Sequence, residues 1–416
     1  MLKTAVKHPE VLAPAGTPEK LRIAIDYGAD AVYIGGDAYG LRSRAGNFSF
    51  EEMAAGAKYA HERGAKVYVA ANIVAHEQNL AGAGEFYRHV RDAGIDAVIV
   101  SDPSLIETAI TEAPGLKVHL STQASATNYE TLNFWQHEGL ERVVLAREVG
   151  IAEIKEMRQH TDVQIESFVH GAMCIGYSGR CVLSNHLSLR DANRGGCAQN
   201  CRWKYDLFDI PELGQKRELM GHNAEGKIEK FSMSAVDMSM IEHIPDLVDA
   251  GVDSLKIEGR MKTVHYVSTV ANVYSTAVRS YCEDPEHYQL KQEWVDELWK
   301  VAQRELSTGF YYGTPNEDFQ LFGKRRRLPH YAFVGEVLGY DDVTKQVTVQ
   351  QRNNFGIGDQ IEFYGPHFAH HTQIVKDLFN DENEPIERAP HAMEIVHFTC
   401  EQPVKPGDFL RAQSKL

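Results

Sequence analysis

The sequence predicts a (β/α)₈ barrel, similar to a TIM barrel, followed by a small antiparallel β-barrel. The first observation is a recurring unit in which a helical pattern ends on glycine and a Val/Ile-rich run follows. The second is the length of 416 residues, which exceeds the size at which single cores usually stop growing and therefore predicts two domains. The third is a change of pattern from Tyr331 onward, where short alternating runs between turn residues replace the recurring unit.

The recurring unit explains the strands of the barrel. Glycine at the end of a helix supplies a left-handed cap, and Val/Ile-rich runs between polar turns are typical of buried parallel strands. Together with the runs EVLAPAG from Glu10 and VQIESFVHG from Val163, the units give about eight strands, the number in a TIM-like barrel. A doubly wound sheet is the alternative, but it normally has fewer strands and a GxGxxG turn, which the sequence lacks. The units begin at Gly28, Gly64, Gly94, Gly115, Gly139 and Gly251.

The predicted domain boundaries follow from these patterns. The barrel domain spans residues 1–322 and carries a cysteine-rich loop at 166–203, between the seventh and eighth strands. Such a loop is an insertion near the C-terminal mouth, where barrel enzymes hold their active sites. A basic linker at 323–330 precedes the C-terminal β-barrel at 331–416.

The cysteine-rich loop contains four of the six cysteines. Cys174 and Cys181 are separated by six residues that include two glycines, fifteen residues precede Cys197, and Cys201 follows after three more. Glycines beside cysteines let the backbone bend around a bound group. The N-terminal sequence has no apolar run typical of a signal peptide, so we expect a reducing, cytoplasmic location in which disulfides are disfavoured.

Three interpretations of the four thiols remain open at this point. Structural zinc usually has two close cysteine pairs, and only Cys197 and Cys201 have that spacing. Irregularly spaced thiolates suit an iron-sulfur cube, which is larger than one ion. The third interpretation is structural or redox-active cysteines. Cys282 and Cys400 lie far from the loop in sequence, and we predict that they are packing residues.

Polar residues that follow the predicted strands are the other candidates for a site at the mouth. The alternative for each of them is a turn or capping role. We predict catalytic roles for Glu166, His170, Arg147 and Arg260. We predict cofactor-binding roles for Arg42, Arg44, Gln123 and Glu258.

Several classes of protein are excluded or disfavoured. No apolar stretch approaches the roughly 20 residues that span a bilayer. A net charge of −15 disfavours nonspecific binding of nucleic acid over the whole surface, so any contact with RNA must be local. The sequence has no complete HExxH or GxSxG motif, and therefore offers no recognisable hydrolytic centre.

The segment ESFVHGAMCIGYSGRCVLS from Glu166 resembles the signature of the collagenase-like peptidase family (peptidase family U-thirty-two). The resemblance extends to VLAPAGTPEKLRIAIDYGADAVYIGG, GGCAQNCRW and SLKIEGRMK, and covers the whole chain. Bacterial members of that family include prephenate-dependent tRNA uridine hydroxylases. Relatives hydroxylate tRNA, ribosomal RNA or ubiquinone precursors without oxygen, although the family name reflects an early assignment as proteases.

The resemblance implies a tRNA-modifying hydroxylase that forms 5-hydroxyuridine at the wobble position. It further implies that Cys174, Cys181, Cys197 and Cys201 hold a 4Fe-4S cluster and that prephenate donates the hydroxyl oxygen. A dicarboxylate donor needs guanidinium partners. Four arginines predicted at the mouth are able to provide them: Arg42, Arg44, Arg147 and Arg260. A collagenase-like peptidase remains the competing function, and a homo- or hetero-oligomer with a paralogous subunit is left open.

An acidic protein that binds tRNA needs a local basic surface. We predict that this surface combines the linker run with a cation on the small barrel. The alternative is that the run only solubilises the linker. The residues of the predicted surface are Lys324, Arg325, Arg326, Arg327 and Arg352.

Overall fold

The computed structural model describes residues 7–41, 46–205, 232–316, 319–321 and 330–414. Eight parallel strands form a closed barrel, because the last of them pairs with both the seventh and the first. The predicted barrel is thereby confirmed. The eight strands are β1 (Glu10–Pro14), β2 (Ala31–Gly35), β3 (Lys66–Ala70), β4 (Ala97–Val100), β5 (Lys117–Leu120), β6 (Arg142–Val144), β7 (Gln164–Ala172) and β9 (Ser254–Ile257).

Helices fill the outer layer between the strands. The first begins at Thr17, whose side chain accepts a hydrogen bond from the Lys20 amide, and the second begins with a capping box between Ser49 and Glu52. Gly28 and Gly251 end helical segments with φ of 99° and 79°, as the repeated pattern predicts. The helices are α1 (Pro18–Asp26), α2 (Phe50–His61), α3 (Glu77–Leu80), α4 (Ala83–Asp92), α5 (Pro103–Glu112), α6 (Tyr129–His137), α7 (Ile151–His160), α8 (Leu183–Ser188), α9 (Ile244–Asp249), α10 (Val264–Glu283) and α11 (Gln292–Val301).

The insertion between β7 and β9 contains the cysteine-rich loop, α8 and a short strand, β8 (Asp237–Ser239). The last residues of β7 run antiparallel to β8, which also pairs with β10 (Leu306–Ser307). These two strands extend the sheet beyond the barrel wall and fix the end of β7. The loop itself therefore leaves the barrel at its C-terminal mouth.

The C-terminal domain is an antiparallel β structure over a separate apolar core that includes Val349, Phe363, Phe398 and Leu410. Its main sheet has seven strands, in the order β15-β14-β19-β11-β12-β18-β16. Gln373 of β15 donates to the Thr399 carbonyl of β18 across the open side of this sheet. The strands are β11 (Tyr331–Asp341), β12 (Gln346–Gln351), β13 (Phe355–Gly356), β14 (Gln360–Gly365), β15 (Ala369–Ile374), β16 (Phe379–Asn380), β17 (Arg388–Ala389), β18 (Ile395–Thr399) and β19 (Phe409–Gln413).

A buried ion-pair network joins the two domains. The Arg411 guanidinium of β19 contacts Glu297 of α11 at 2.6 Å and Glu362 of β14 at 2.7 Å. The Lys300 ammonium contacts the same two carboxylates at 2.6 and 3.2 Å. Next to this network the ring of Tyr27 on α1 stacks on Phe409. The two domains therefore pack through matched charges and aromatic rings.

His265 lies in the same interface and links its packing to pH. Its ring contacts Phe333 and Tyr364 of the C-terminal domain, with centroids 6.1 and 5.6 Å away. Burial lowers the pKa of His265 to about 3, and the Arg411 and Lys300 cations also lower it against the opposing effect of Glu362. Below pH 6.5 the unfolded chain therefore binds a proton that the folded chain does not bind.

We therefore expect stability to fall as the pH falls from 6.5 toward 3. His265 alone should account for a loss of about 2 kcal/mol between pH 7 and pH 5, at 1.36 kcal/mol per pKa unit. The free energy of unfolding should be measured by urea titration at both pH values. Its decrease between pH 7 and pH 5 should be smaller for His265→Asn than for wild type by about this amount. The matched control is His391→Asn at an exposed position. Equal pH losses for wild type and His265→Asn would contradict the expectation.

In the part of the chain that the structure describes, no helix combines the length and apolarity needed to cross a membrane.

Candidate active site

A cavity of about 140 Å³ lies at the C-terminal mouth of the barrel, beneath the cysteine-rich loop. Barrel residues that form its walls include Tyr33, Ile99, Ser121, Val144, Phe168 and Lys256. The loop contributes the four cysteines Cys174, Cys181, Cys197 and Cys201. The structure thus brings together all four thiols that the sequence predicts as ligands.

Tight turns and side-chain clamps position the first pair of cysteines. A Cβ on Gly176 would overlap the Arg180 carbonyl, so the turn between Cys174 and Cys181 requires glycine at this point. The Asn193 side chain accepts from the Cys181 amide at 3.2 Å and donates to the Cys181 carbonyl at 3.1 Å. These two contacts hold both the backbone amide and the backbone carbonyl of Cys181.

A second set of contacts ties the two cysteine pairs together. The Ser184 hydroxyl accepts from the Ala198 amide at 3.1 Å and donates to the Asn200 side-chain oxygen at 2.7 Å. Ser184 follows Cys181, whereas Ala198 and Asn200 lie between Cys197 and Cys201. The loop is anchored to the barrel by Glu148, which accepts from the Ser178 amide and hydroxyl, both at 2.7 Å.

The spacing of the four thiols limits the group that they could hold. Burial raises the pKa of the Cys201 thiol; the charge of Arg202 lowers it, and the other three cysteines raise it further, which places them within electrostatic reach. Among the described residues, the one set of at least three His, Cys, Asp or Glu ligand atoms within 4.8 Å of one another is Glu297, Glu362 and His370.

No three of the four cysteine sulfurs therefore lie within 4.8 Å of one another. A tetrahedral zinc ion with Zn–S bonds of about 2.3 Å needs sulfurs roughly 3.8 Å apart. As the side chains stand, the arrangement fits a larger group, such as an iron-sulfur cube, better than a single zinc ion. The set around Glu297 is already neutralised by Arg411 and Lys300, so it does not call for a metal.

Two arginines, Arg147 and Arg260, also line the cavity. The Arg147 guanidinium lies 4.0 Å from the centre of the Phe168 ring and 3.5 Å from the Glu258 carboxylate. Arg260 donates to the Leu41 carbonyl at 3.2 Å and to the Asn47 side chain at 3.3 Å. A Cβ on Gly35 would overlap the Arg260 guanidinium, so glycine at this position allows the arginine to reach the mouth.

Gln123 and Asn200 add buried polar atoms to the cavity. Both residues line it, and 2 % and 1 % of their surfaces are exposed. The Gln123 side-chain nitrogen is 3.4 Å from the Gly179 carbonyl. Among the described residues, the Gln123 Oε1 and the Asn200 Nδ2 have no hydrogen-bond partner. Buried polar atoms are normally satisfied, so these two atoms indicate contacts with a bound group.

Lys256 forms the floor of the cavity and was not predicted from the sequence. Its ammonium contacts the Glu166 carboxylate at 2.6 Å and faces the Tyr33 ring at 4.7 Å. Glu166 also contacts Arg142 at 3.1 Å, and Arg142 contacts Glu10 at 2.6 Å. Two carboxylates and two cations thus neutralise one another inside the barrel.

Glu166 was predicted as a catalytic residue, and the structure places it beneath the cavity. The side chain is fully buried below the cavity, where it pairs with Lys256 and Arg142. It is absent from the described lining of the cavity. Its position supports a structural role beneath the site instead of contact with a substrate.

His170, which was also predicted as catalytic, lies on the outer side of β7. Its Nδ1 lies 3.3 Å from the hydroxyl of Tyr274 on α10, and its ring packs near Tyr266. Burial lowers the pKa of His170 to about 3, which keeps the imidazole neutral at neutral pH. His170 therefore packs between the barrel and the outer helix, outside the described lining of the cavity.

Arg352 does not provide the free cation that the predicted RNA surface needs. Its guanidinium contacts Glu19 of α1 at 2.7 Å and Glu336 of β11 at 3.0 Å, so two carboxylates offset its charge. The other predicted cations lie outside the described residues, as do two of the predicted donor-binding arginines. These residues are Lys324, Arg325, Arg326, Arg327, Arg42 and Arg44.

The described lining of the cavity has no Ser-His-Asp or Cys-His arrangement. It includes serines and cysteines but no histidine or aspartate, and its Lys256 is paired with Glu166 and its Glu258 with Arg147. Cys282 lies at the end of α10, and Cys400 is buried in the C-terminal core, where burial raises the pKa of its thiol to about 11. Neither cysteine lines the cavity.

Comparison with known proteins agrees with both domains. The family model of peptidase family U32 matches residues 16–320, and the model of the U32 C-terminal domain matches residues 329–411. A relative named tRNA hydroxylation protein P1, from Bacillus subtilis, is 47% identical over 98% of this chain and 96% of its own.

Two further relatives carry different names. The tRNA hydroxylation protein P2 of Bacillus subtilis is 33% identical over 74% of this chain and 98% of its own. A protein named collagenase, from Porphyromonas gingivalis, is 30% identical over 96% of this chain and 97% of its own. The matched family models and the full-length relatives show that this chain belongs to peptidase family U32.

Proposed function

We propose that this chain is a tRNA-modifying hydroxylase that forms 5-hydroxyuridine at the wobble position, with prephenate as the hydroxyl donor. The observation that carries the proposal is one cavity, at the mouth of a barrel, whose lining includes both four thiols and two arginines. The names of the Bacillus subtilis relatives support tRNA as the substrate class. Hydroxylation of another RNA or of a ubiquinone precursor is the nearest alternative.

The four cysteines would hold a 4Fe-4S cluster in this proposal. Their shared cavity, in which no three of the sulfurs lie within 4.8 Å of one another, supports a group larger than a single zinc ion. Such a cluster, when bound, supplies one-electron redox chemistry. The Leu183 amide, 3.4 Å from the Cys181 sulfur, would stabilise the thiolate form of that ligand. Asn200 would direct its side-chain N–H groups toward the bound group.

Cations of the barrel would bind the anionic donor. Arg147 and Arg260 both line the cavity, and the partial burial of Arg147 strengthens its attraction to a carboxylate. Arginine can contact a carboxylate through two parallel N–H groups, which fixes the orientation of a dicarboxylate such as prephenate. Phe168 beneath Arg147 would hold the guanidinium plane in place.

The competing function is a peptidase, which the name of the Porphyromonas gingivalis relative favours. The absence of histidine and aspartate from the described cavity lining disfavours it.

Nucleoside analysis of tRNA tests the proposal directly. The chain should be expressed in a bacterial strain that lacks its own tRNA hydroxylation genes, and the tRNA nucleosides should be measured by mass spectrometry. We expect 5-hydroxyuridine or nucleosides derived from it, and we expect none when the strain is also unable to make prephenate. The expected dependence on prephenate rests on the proposed contacts of its carboxylates with Arg147 and Arg260.

Two results would contradict the proposal. The first is tRNA without any hydroxylated uridine although the protein is present and folded. The second is cleavage of collagen by the purified chain that disappears when the cavity is altered by Arg147→Met. The exposed Arg63→Met variant serves as the control for the second result.

A further inference from the structure

The outer surface of the cysteine-rich loop exposes large apolar side chains around the cavity. Tyr177 is 55% exposed, Trp203 47% and Leu189 93%. Soluble proteins seldom group such side chains on one surface unless a partner covers them. The same loop also exposes Ile175, Val182 and Leu187.

The loop is basic, although the protein is acidic. Residues 171–205 contain five Lys or Arg and one acidic residue, for a net charge of +4, whereas the whole chain has −15. The acidic residue, Asp191, accepts a hydrogen bond from the Asn193 amide within its own turn. The cations are Arg180, Arg190, Arg194, Arg202 and Lys204.

These side chains lie beside the thiols. Arg180 is exposed and precedes Cys181, while Trp203 and Lys204 follow Cys201 within three residues. Tyr177 lies between Cys174 and Cys181, in the turn that requires glycine at position 176. A strand of nucleic acid on this surface would pass over the opening of the cavity.

We propose that this surface, which we call the loop face, binds a single-stranded segment of the RNA substrate. Tyr177 and Trp203 stack on bases, Arg180 and Lys204 contact phosphates, and the target base turns into the cavity. This inference rests on the proposed function. It uses cations other than Arg352, and the linker run at 324–327 lies outside the described residues and stays a prediction.

RNA explains the mixture of groups better than a protein partner does. Stacking platforms for single strands combine aromatic rings with cations that follow the backbone. Protein interfaces are also enriched in tyrosine, tryptophan and arginine, so the charge of the loop decides between the two kinds of partner. The strongly positive charge of the loop, against the negative charge of the chain, complements phosphates.

The test measures the affinity of the full-length protein for a labelled tRNA transcript by fluorescence anisotropy at several salt concentrations. The variant Tyr177→Ala/Trp203→Ala should bind about tenfold more weakly per ring, with little change in the salt dependence. The variant Arg180→Gln/Lys204→Gln should lower the slope of log Kd against log salt by about 1.4, at about 0.7 per phosphate contact for single strands.

Matched controls remove equivalent groups from the outer helices. Phe134→Ala removes an aromatic ring that is 54% exposed, and Lys58→Gln/Lys155→Gln removes two exposed cations. Both controls should bind tRNA like wild type. Tyr177→Phe/Trp203→Phe keeps the rings and should retain the affinity, which excludes misfolding as the cause of the loss.

Each contrary outcome has a distinct meaning. Equal affinities and equal salt slopes for wild type and both loop-face variants would overturn the loop face while leaving the proposed function intact. Failure of wild type to bind tRNA would overturn the proposed function and the loop face with it. Unchanged tRNA binding, with loss of a complex with a second protein chain, would overturn the RNA assignment in favour of a protein partner.

Discussion

Replacement of any one of the four cavity cysteines by alanine is expected to remove the bound iron and to lower tRNA hydroxylation by about hundredfold or more. Each thiol lines the same cavity, so the loss of one ligand opens the site to water and weakens the hold of the remaining three. The measurement is iron and sulfide content per chain after anaerobic purification, together with 5-hydroxyuridine formation. The four variants are Cys174→Ala, Cys181→Ala, Cys197→Ala and Cys201→Ala.

The chain offers its own control in Cys282, a half-buried thiol on α10 outside the cavity. Cys282→Ala should retain the iron content and the activity of wild type. One zinc per chain without iron or sulfide would refute the cluster and support the zinc interpretation. Full activity in Cys197→Ala would refute a role for the thiols in the reaction.

The barrel and its mouth could be predicted because they follow from local chemistry. Glycine caps and Val/Ile-rich runs mark each βα unit, and the C-terminal ends of parallel strands meet at one end of a barrel. Residues that follow a strand, such as Gln123, Arg147 and Arg260, were therefore predicted at the mouth, and the structure places them in one cavity. Their roles in the reaction remain predictions.

The placement of Glu166 and His170 on β7 depends on geometry that the sequence does not display. Glu166 faces the barrel interior, but it lies two residues before Phe168, about 6.6 Å lower along the strand at 3.3 Å per residue. Its side chain therefore lies below the cavity. The pairing of β7 with β9 shifts register between Phe168 and His170, and His170 packs toward Tyr274 on the outer helix.

Other features depend on partners that are distant in sequence. Arg352 pairs with Glu19, which is 333 positions away, so its sequence neighbours could not indicate that its charge is offset. Lys256 was missed although a lysine within the apolar run of β9 is itself a signal, because a charged side chain at an inward position requires a buried partner. The partner is Glu166.

Removal of that partner is expected to have the largest effect on stability. The Glu166→Leu variant leaves the Lys256 ammonium buried without a carboxylate partner. It also removes one of the two carboxylates that contact Arg142. Breaking a buried ion pair from one side typically costs about 3–5 kcal/mol, because the remaining charge stays desolvated. Urea unfolding should show a decrease of this size in the free energy of unfolding, and Glu166→Gln should show a smaller one.

A double variant separates the lost pair from lost packing. Glu166→Leu/Lys256→Met removes both charges and should recover much of the stability, since a buried pair replaced by apolar groups is often neutral or better. The exposed Glu107→Leu variant controls for loss of a carboxylate elsewhere. If Glu166→Gln instead kept wild-type stability and lost only hydroxylation, the carboxylate would act in the reaction. The Glu166 carboxylate would then act on the substrate through its contact with Lys256. The ion pair of these two residues at the floor of the cavity would therefore belong to the catalytic site.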